Sequence, residues 1–265
     1  MAARTPRRLA LAAAAAAAVV LAGCGSSSSG SAGGSSSTSA SVTGTINVLA
    51  AASLQEAFTT LGTEFEKAHP GTKVVLNFGP SSGLAEQINQ GAPADVFASA
   101  SPTNMQQVVS AGGASDPTNF ASNVLEIAVP AGNKAGITSL ADLGRPGVKV
   151  AECQAQVPCG VVAASVLSKA GVTLTGASQE ADVKSVLTKV SLGEVDAGLV
   201  YVTDVKAAGA KVTGIEIPAD VNTSTLYPIA VLTHSANPAT ARAFTAYVLS
   251  DHGASVLAAS GFATP

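Results

Sequence analysis

The chain predicts an α/β protein whose mainly parallel sheets are flanked by helices. Short β-like apolar runs alternate with segments whose apolar residues recur at helical spacing. Serine stands at two equivalent strand-to-helix junctions, which marks a repeated strand, turn and helix unit. About 220 of the 265 residues lie beyond a Ser/Gly-rich tract, enough for two smaller lobes or one large domain.

At the N-terminus, Arg4, Arg7 and Arg8 precede an uncharged Ala/Leu/Val run from Leu9 to Ala22. That arrangement reads as an export signal over 1–23, because the run is too short and too Ala-rich for a membrane span. It ends in Leu21-Ala22-Gly23-Cys24, which resembles a lipobox and makes Cys24 the expected lipidated residue. Residues 24–44 are almost wholly Ser, Gly, Ala and Thr, a tether with a coil dimension of about 25 Å. Loss of the three arginines leaves 11 of the 14 Lys/Arg against 17 Asp/Glu, a net charge near −6. Nucleic acid is therefore not an expected partner, and an anionic ligand would have to be held by local donors against the global field.

The elements follow in order. Ile46 to Ala50 is a strand, and Leu54, Ala57, Phe58, Leu61 and Phe65 mark one face of a helix after Ser53. Val74 to Phe78 is the next strand, with a turn over Gly79 to Gly83 that contains Ser81 and a helix over Leu84 to Asn89. A strand at Val96 to Ala98, a helix over Asn104 to Ser110 and a strand at Val124 to Val129 complete this part. A second series begins at the strand Val148 to Ala151 and continues through a cysteine loop to a helix over Gly160 to Ala170. Val183, Val186, Leu187 and Val190 mark another helix, and Ala197 to Val200 is a strand ending at Tyr201. Strands at Val212 to Ile217 and Tyr227 to Leu232 lead to helices over Pro238 to Leu249 and Gly253 to Ser260.

Ligands in such sheets lie beyond the carboxyl ends of the strands, where helices begin. Ser53, Ser81, Cys159, Val183 and Tyr201 all fall at such junctions, which offer free N–H groups and the positive ends of helix dipoles to an anion. Cys153 and Cys159, close in sequence in an exported protein, read as a disulfide. No Cys/His group has zinc-ligand spacing.

Ordered landmarks carry a resemblance. Ala50 to Leu54 (AAASL) follows the first strand, Phe78 to Ile88 (FGPSSGLAEQI) the second, and Gly91 to Phe97 (GAPADVF) comes directly after. Val157-Pro158-Cys159-Gly160, Gly198-Leu199-Val200-Tyr201 and Tyr227-Pro228 follow in turn. Over Thr45 to Phe262 the chain resembles the molybdate-binding proteins of ABC importers. The resemblance implies a two-lobed, type II periplasmic-binding-protein-like fold. It also implies a molybdate or tungstate site between the lobes, no cofactor, and a monomer that delivers its anion to an ABC permease at the outer face of the membrane. The implied ligand set is Ser53, Ser81, the N–H groups of Cys159 and Val183, and the Tyr201 hydroxyl, a shell with no acidic side chain. The expected lobes are 45–125 with 229–265, and 126–228, joined by two crossing strands that form a hinge. Pro80 and Gly83 depart from the more serine-rich turn of the family and leave open whether Ser81 or Ser82 faces the ligand.

Three rival readings accompany this one, and the first, a purely structural surface lipoprotein, would leave the recurrent strand–Ser–helix junctions unexplained. Sulfate or phosphate carriers also wrap a tetrahedral anion in helix-end donors, whereas iron carriers use paired tyrosines and Tyr201, Tyr227 and Tyr247 are isolated in sequence. Gly79 to Gly83 also fits the G-x-S-x-G pattern of a serine hydrolase with Ser81 as nucleophile and His234 or His252 as base, but Pro80 is foreign to that turn.

Overall fold

The structure, a computed structural model, describes residues 42–265. The expected export signal at 1–23, Cys24 and all but the end of the 24–44 tether lie outside the described residues.

The strands are β1 (Gly44–Ala51), β2 (Thr72–Gly79), β3 (Val96–Ala98), β4 (Thr118–Asn123), β5 (Leu125–Pro130), β6 (Val150–Cys153), β7 (Ser178–Glu180), β8 (Ala197–Tyr201), β9 (Val212–Glu216) and β10 (Thr225–Val231). The helices are α1 (Gln55–Ala68), α2 (Ser81–Asn89), α3 (Pro102–Ser110), α4 (Pro158–Ala170), α5 (Val183–Leu192), α6 (Val202–Ala208), α7 (Pro238–Val248) and α8 (Asp251–Ser260). One sheet has the order β2-β1-β3-β10-β4 and the other β7-β6-β8-β5-β9. The two orders share one plan, in which the fourth strand has just crossed from the other sheet. In each sheet four strands point one way and only that crossing strand, β10 or β5, opposes its neighbours. Parallel strands therefore dominate, and every antiparallel pairing involves a crossing strand.

The core follows from the apolar spacing. Strand β1 buries Ile46, Val48 and Ala50 on one side and Leu49 on the other, as a central strand covered on both faces must. Helix α1 lays Ala57, Phe58, Leu61 and Phe65 on that sheet, where Phe58, Phe65, Phe120, Phe244 and Tyr227 form an aromatic cluster of mainly edge-to-face contacts. The second core is aliphatic, built from Ile127, Val150, Val166, Val186, Leu199 and their neighbours. Helix α5 approaches β8 so closely that a Cβ on Gly198 would stand 2.7 Å from Val186 and 2.8 Å from Val190.

The crossings run through Val124, between β4 and β5, and through 217–224, between β9 and β10. Leu125 and Thr225 thus already belong to the sheets they enter, one and four residues earlier than the expected changes at 126 and 229. Asn222 Nδ2 donates to Leu125 O at 2.8 Å and braces one crossing against the other. Strands β4 and β7 and helix α6 were not legible in the sequence. Thr118–Asn123 (TNFASN) and Ser178–Glu180 (SQE) are polar edge strands without a continuous apolar run, and α6 spans only seven residues.

Candidate functional site

Five strand-to-helix junctions converge on one small cavity. Its lining contains all five residues expected from the sequence: Ser53, Ser81, Cys159, Val183 and Tyr201. Ser53 sits in the 3-10 turn that follows β1, and Ser81 is the first residue of α2. Cys159 lies in the first turn of α4, Val183 opens α5, and Tyr201 ends β8 directly before α6. Ser53 and Ser81 come from one sheet's side and the other three from the other, so the cavity lies between the lobes.

The hydroxyls are arranged as donors. Ser81, fully buried, accepts the Ala100 N–H at 2.9 Å through its Oγ, which leaves its own hydrogen to point elsewhere. Ser53 Oγ is 2.9 Å from the Tyr227 hydroxyl, and a bond donated by Tyr227 frees the serine hydrogen in the same way. Tyr201, 1 % exposed, has no hydrogen-bond partner of acceptable geometry for its hydroxyl among the described residues. Burial, reinforced by Tyr227 and Asp204, raises the Tyr201 phenol well above its ordinary value, so it stays a neutral donor. Burial likewise raises Tyr227, against the lowering effect of its Ser53 bond. In α4 the chain's first intrahelical N–H is that of Val161, bonded to Val157 O at 3.0 Å, so the N–H groups of Cys159 and Gly160 have no acceptor within the helix. In α5, Asp182 caps the Ser185 N–H at 2.8 Å, and the Val183 and Lys184 N–H groups stand ahead of the ladder.

The loop before α4 is tightly folded. Cys153 and Cys159 are bonded with Cα atoms 5.7 Å apart. A Cβ on Gly160 would stand 2.1 Å from Gln154 O, so only glycine fits where that loop passes the helix start.

Two expectations need correction. Asp182 lines the cavity, so its wider wall does include an acid; the capping bond to Ser185 N–H is what brings that carboxylate to the start of α5. Tyr201 and Tyr227 are not isolated, because β8 and β10 bring their rings to 6.3 Å in an edge-to-face contact. Both phenols are shifted upward, which disfavours the phenolate an iron site needs, and no cluster of His, Cys, Asp or Glu fit for a metal occurs among the described residues. Ser81, not Ser82, lines the cavity. Supporting residues that the sequence did not single out are Ala100, Asp182 and Asp204; Asp204 Oδ2 accepts the Tyr201 N–H at 3.0 Å. Only the Asp182-x-x-Ser185 capping spacing could have announced any of them.

No histidine lines the cavity. His252 is paired with Glu64 at 2.8 Å and exposed, so it offers Ser81 no general base.

Comparison with known proteins agrees with this geometry. Residues 46–263 match the bacterial extracellular solute-binding protein family. Molybdate-binding protein ModA of Mycobacterium tuberculosis is 46 % identical over 222 residues, covering 83 % of this chain and 85 % of that protein. The periplasmic molybdate-binding protein of Azotobacter vinelandii superposes with a TM-score of 0.73 at 23 % identity, over 83 % of this chain and 99 % of that one. The sulfate-binding protein SubI of Mycobacterium tuberculosis gives the same TM-score, 0.73, at 19 % identity over 82 % of this chain and 86 % of that one, a likeness of fold alone. The chain belongs to the bacterial extracellular solute-binding proteins and, among them, to the ModA-type substrate-binding proteins.

Proposed function

We propose that the protein binds molybdate, and tungstate with it, outside the cytoplasmic membrane and delivers the anion to an ABC permease without chemical change. The observation that carries this reading is the convergence of neutral donors on one interlobe cavity: two serines, two N–H groups at helix starts and a buried phenol whose hydroxyl has no bond of acceptable geometry among the described residues. Such a set suits a bare dianion. It supplies hydrogen bonds and helix-dipole attraction without a second buried charge to desolvate. Molybdate is the reading because the 46 % identical relative is named for it. Charge at Asp182 does not make the choice, since a capping carboxylate repels molybdate and sulfate alike and, as a proton acceptor, would favour hydrogen phosphate; the neutral donors argue for a bare dianion. Size does the rest, because helix starts fixed for longer metal–oxygen bonds leave sulfate with stretched contacts. Titration calorimetry of the 44–265 fragment with molybdate, tungstate, sulfate and phosphate tests this. The first two are expected to bind at least a hundredfold more tightly, and sulfate bound as tightly as molybdate overturns the assignment.

The same proposal includes the finer features of the chain. The export signal ends before Cys24, which carries the lipid; the 24–44 tether lets a monomeric binding unit reach its permease. The Cys153–Cys159 disulfide forms after export and stiffens the loop that presents the Cys159 N–H. The residues contributed by the two lobes close on the anion about the crossings at Val124 and 217–224, and Ser53, Ser81, Cys159, Val183 and Tyr201 are its ligands.

A further inference from the structure

Beside the cavity, and outside its lining, Lys184 makes the contacts that join the elements carrying three of the five site residues. It follows Val183 at the start of α5. Its Nζ lies 2.9 and 2.8 Å from the two carboxylate oxygens of Glu56, in the first turn of α1 just after Ser53. The same Nζ lies 3.0 Å from Asp204 Oδ1, an ionic contact off the line of a hydrogen bond. Asp204 is fully buried in the first turn of α6, where its other oxygen holds the N–H of Tyr201. Glu56 belongs to one lobe, and Lys184 and Asp204 belong to the other.

We propose that Lys184 is a positioning residue that couples anion capture to closure of the lobes, by neutralising the buried Asp204 beneath Tyr201 and latching onto Glu56 across the cleft. The inference rests on the anion-binding reading above. Its chemistry starts from Asp204. A buried carboxylate beside an anion site would repel the ligand and would be costly in its own right unless a cation faced it. Lys184 is that cation, and it is placed under the wall of the cavity instead of inside it, so the five donors that would meet the anion stay neutral while the charge of Asp204 behind them is balanced. Burial alone would lower the Lys184 ammonium, and Asp204 followed by Glu56 more than reverses this, so the cation is maintained. The Glu56 contact differs from another bond that spans the lobes, donated by Asn123 Nδ2 to Thr203 Oγ1 at 2.9 Å. Asn123 is adjacent to the crossing at Val124, where hinge motion is least. Glu56 and Lys184 stand on helices that begin at the cavity itself, so their contact is made on closing and broken on opening.

The test uses the purified full chain with sodium molybdate as probe, at low and high salt. Glu56→Gln removes the latch from a half-exposed side chain and is expected to weaken molybdate about threefold, through faster release. Lys184→Met leaves Asp204 unbalanced and is expected to weaken binding at least tenfold, with Lys184→Arg restoring most of the loss. Adding Glu56→Gln to Lys184→Met should change nothing further, and salt should weaken the wild type more than Glu56→Gln. Wild-type affinity and release in Glu56→Gln, or additive effects in the double variant, overturn the proposal even where Lys184→Met fails to fold. If the wild type takes no molybdate, tungstate or sulfate, the functional reading itself fails, and small-angle scattering then judges the latch separately. A larger radius of gyration for Glu56→Gln than for the wild type supports it, and equal radii overturn it.

Discussion

Tyr201→Phe separates a ligand from a packed aromatic, because the structure predicts opposite signs for stability and for binding. The ring is buried against Tyr227 and remains so in phenylalanine, so packing is conserved. The hydroxyl has no bond of acceptable geometry among the described residues, and a buried polar group left unsatisfied costs about 1–3 kcal/mol. Its removal should therefore stabilise the ligand-free protein by about 1 kcal/mol, or roughly 2–4 °C in a domain of this size. With the anion bound, the same hydroxyl donates a charge-assisted bond of about 1.5–3 kcal/mol, so the variant should bind molybdate roughly tenfold to a hundredfold more weakly. Thermal unfolding without ligand and calorimetric titration with molybdate read the two effects. A variant that melts lower than the wild type and binds molybdate unchanged refutes the assignment of Tyr201.

Three further outcomes follow from separate parts of the chain. Cys24→Ala should release or misprocess the protein, and a variant that stays membrane-associated at wild-type size removes the lipid anchor from the account. Replacing Cys153 and Cys159 by alanine should lower stability by about 2 kcal/mol for a bridge spanning six positions, whereas two free thiols in the mass of the unreduced exported protein contradict the bond. Glu126, which faces Glu216 across β5 and β9, has its carboxyl raised by burial first and by Glu216 second. A raised acid contributes its full share of stability below its unfolded value and loses it as pH climbs through the folded one. Glu126→Gln should thus raise the melting temperature at neutral pH and not at pH 4; a gain of equal size at both would refute this.

Much of the site was legible because its chemistry is written locally. A serine between an apolar run and a helical pattern, as at Ser53 and Ser81, announces a junction whatever lies around it, and the Val183 periodicity fixed the start of α5. What surrounds those residues was not legible. The Tyr201–Tyr227 contact joins positions on strands of different sheets, and Lys184 meets Glu56 across 128 residues of sequence. The crossing at Thr225 was displaced because Thr225 and Leu226 extend β10 by backbone pairing with Asn123 and Ser122, which no side-chain pattern records. Strand β7 escaped for a similar reason: its three polar residues are held by the parallel register with β6.

The central claim is that five junctions hold one oxyanion, and anomalous diffraction at the molybdenum edge tests it most directly. Crystals of the 44–265 fragment grown with molybdate should show one strong peak between the lobes, within hydrogen-bond reach of Ser53 Oγ, Ser81 Oγ, the Cys159 and Val183 N–H groups and the Tyr201 hydroxyl. A peak elsewhere on the molecule, or none in that cavity at saturating molybdate, would contradict the account.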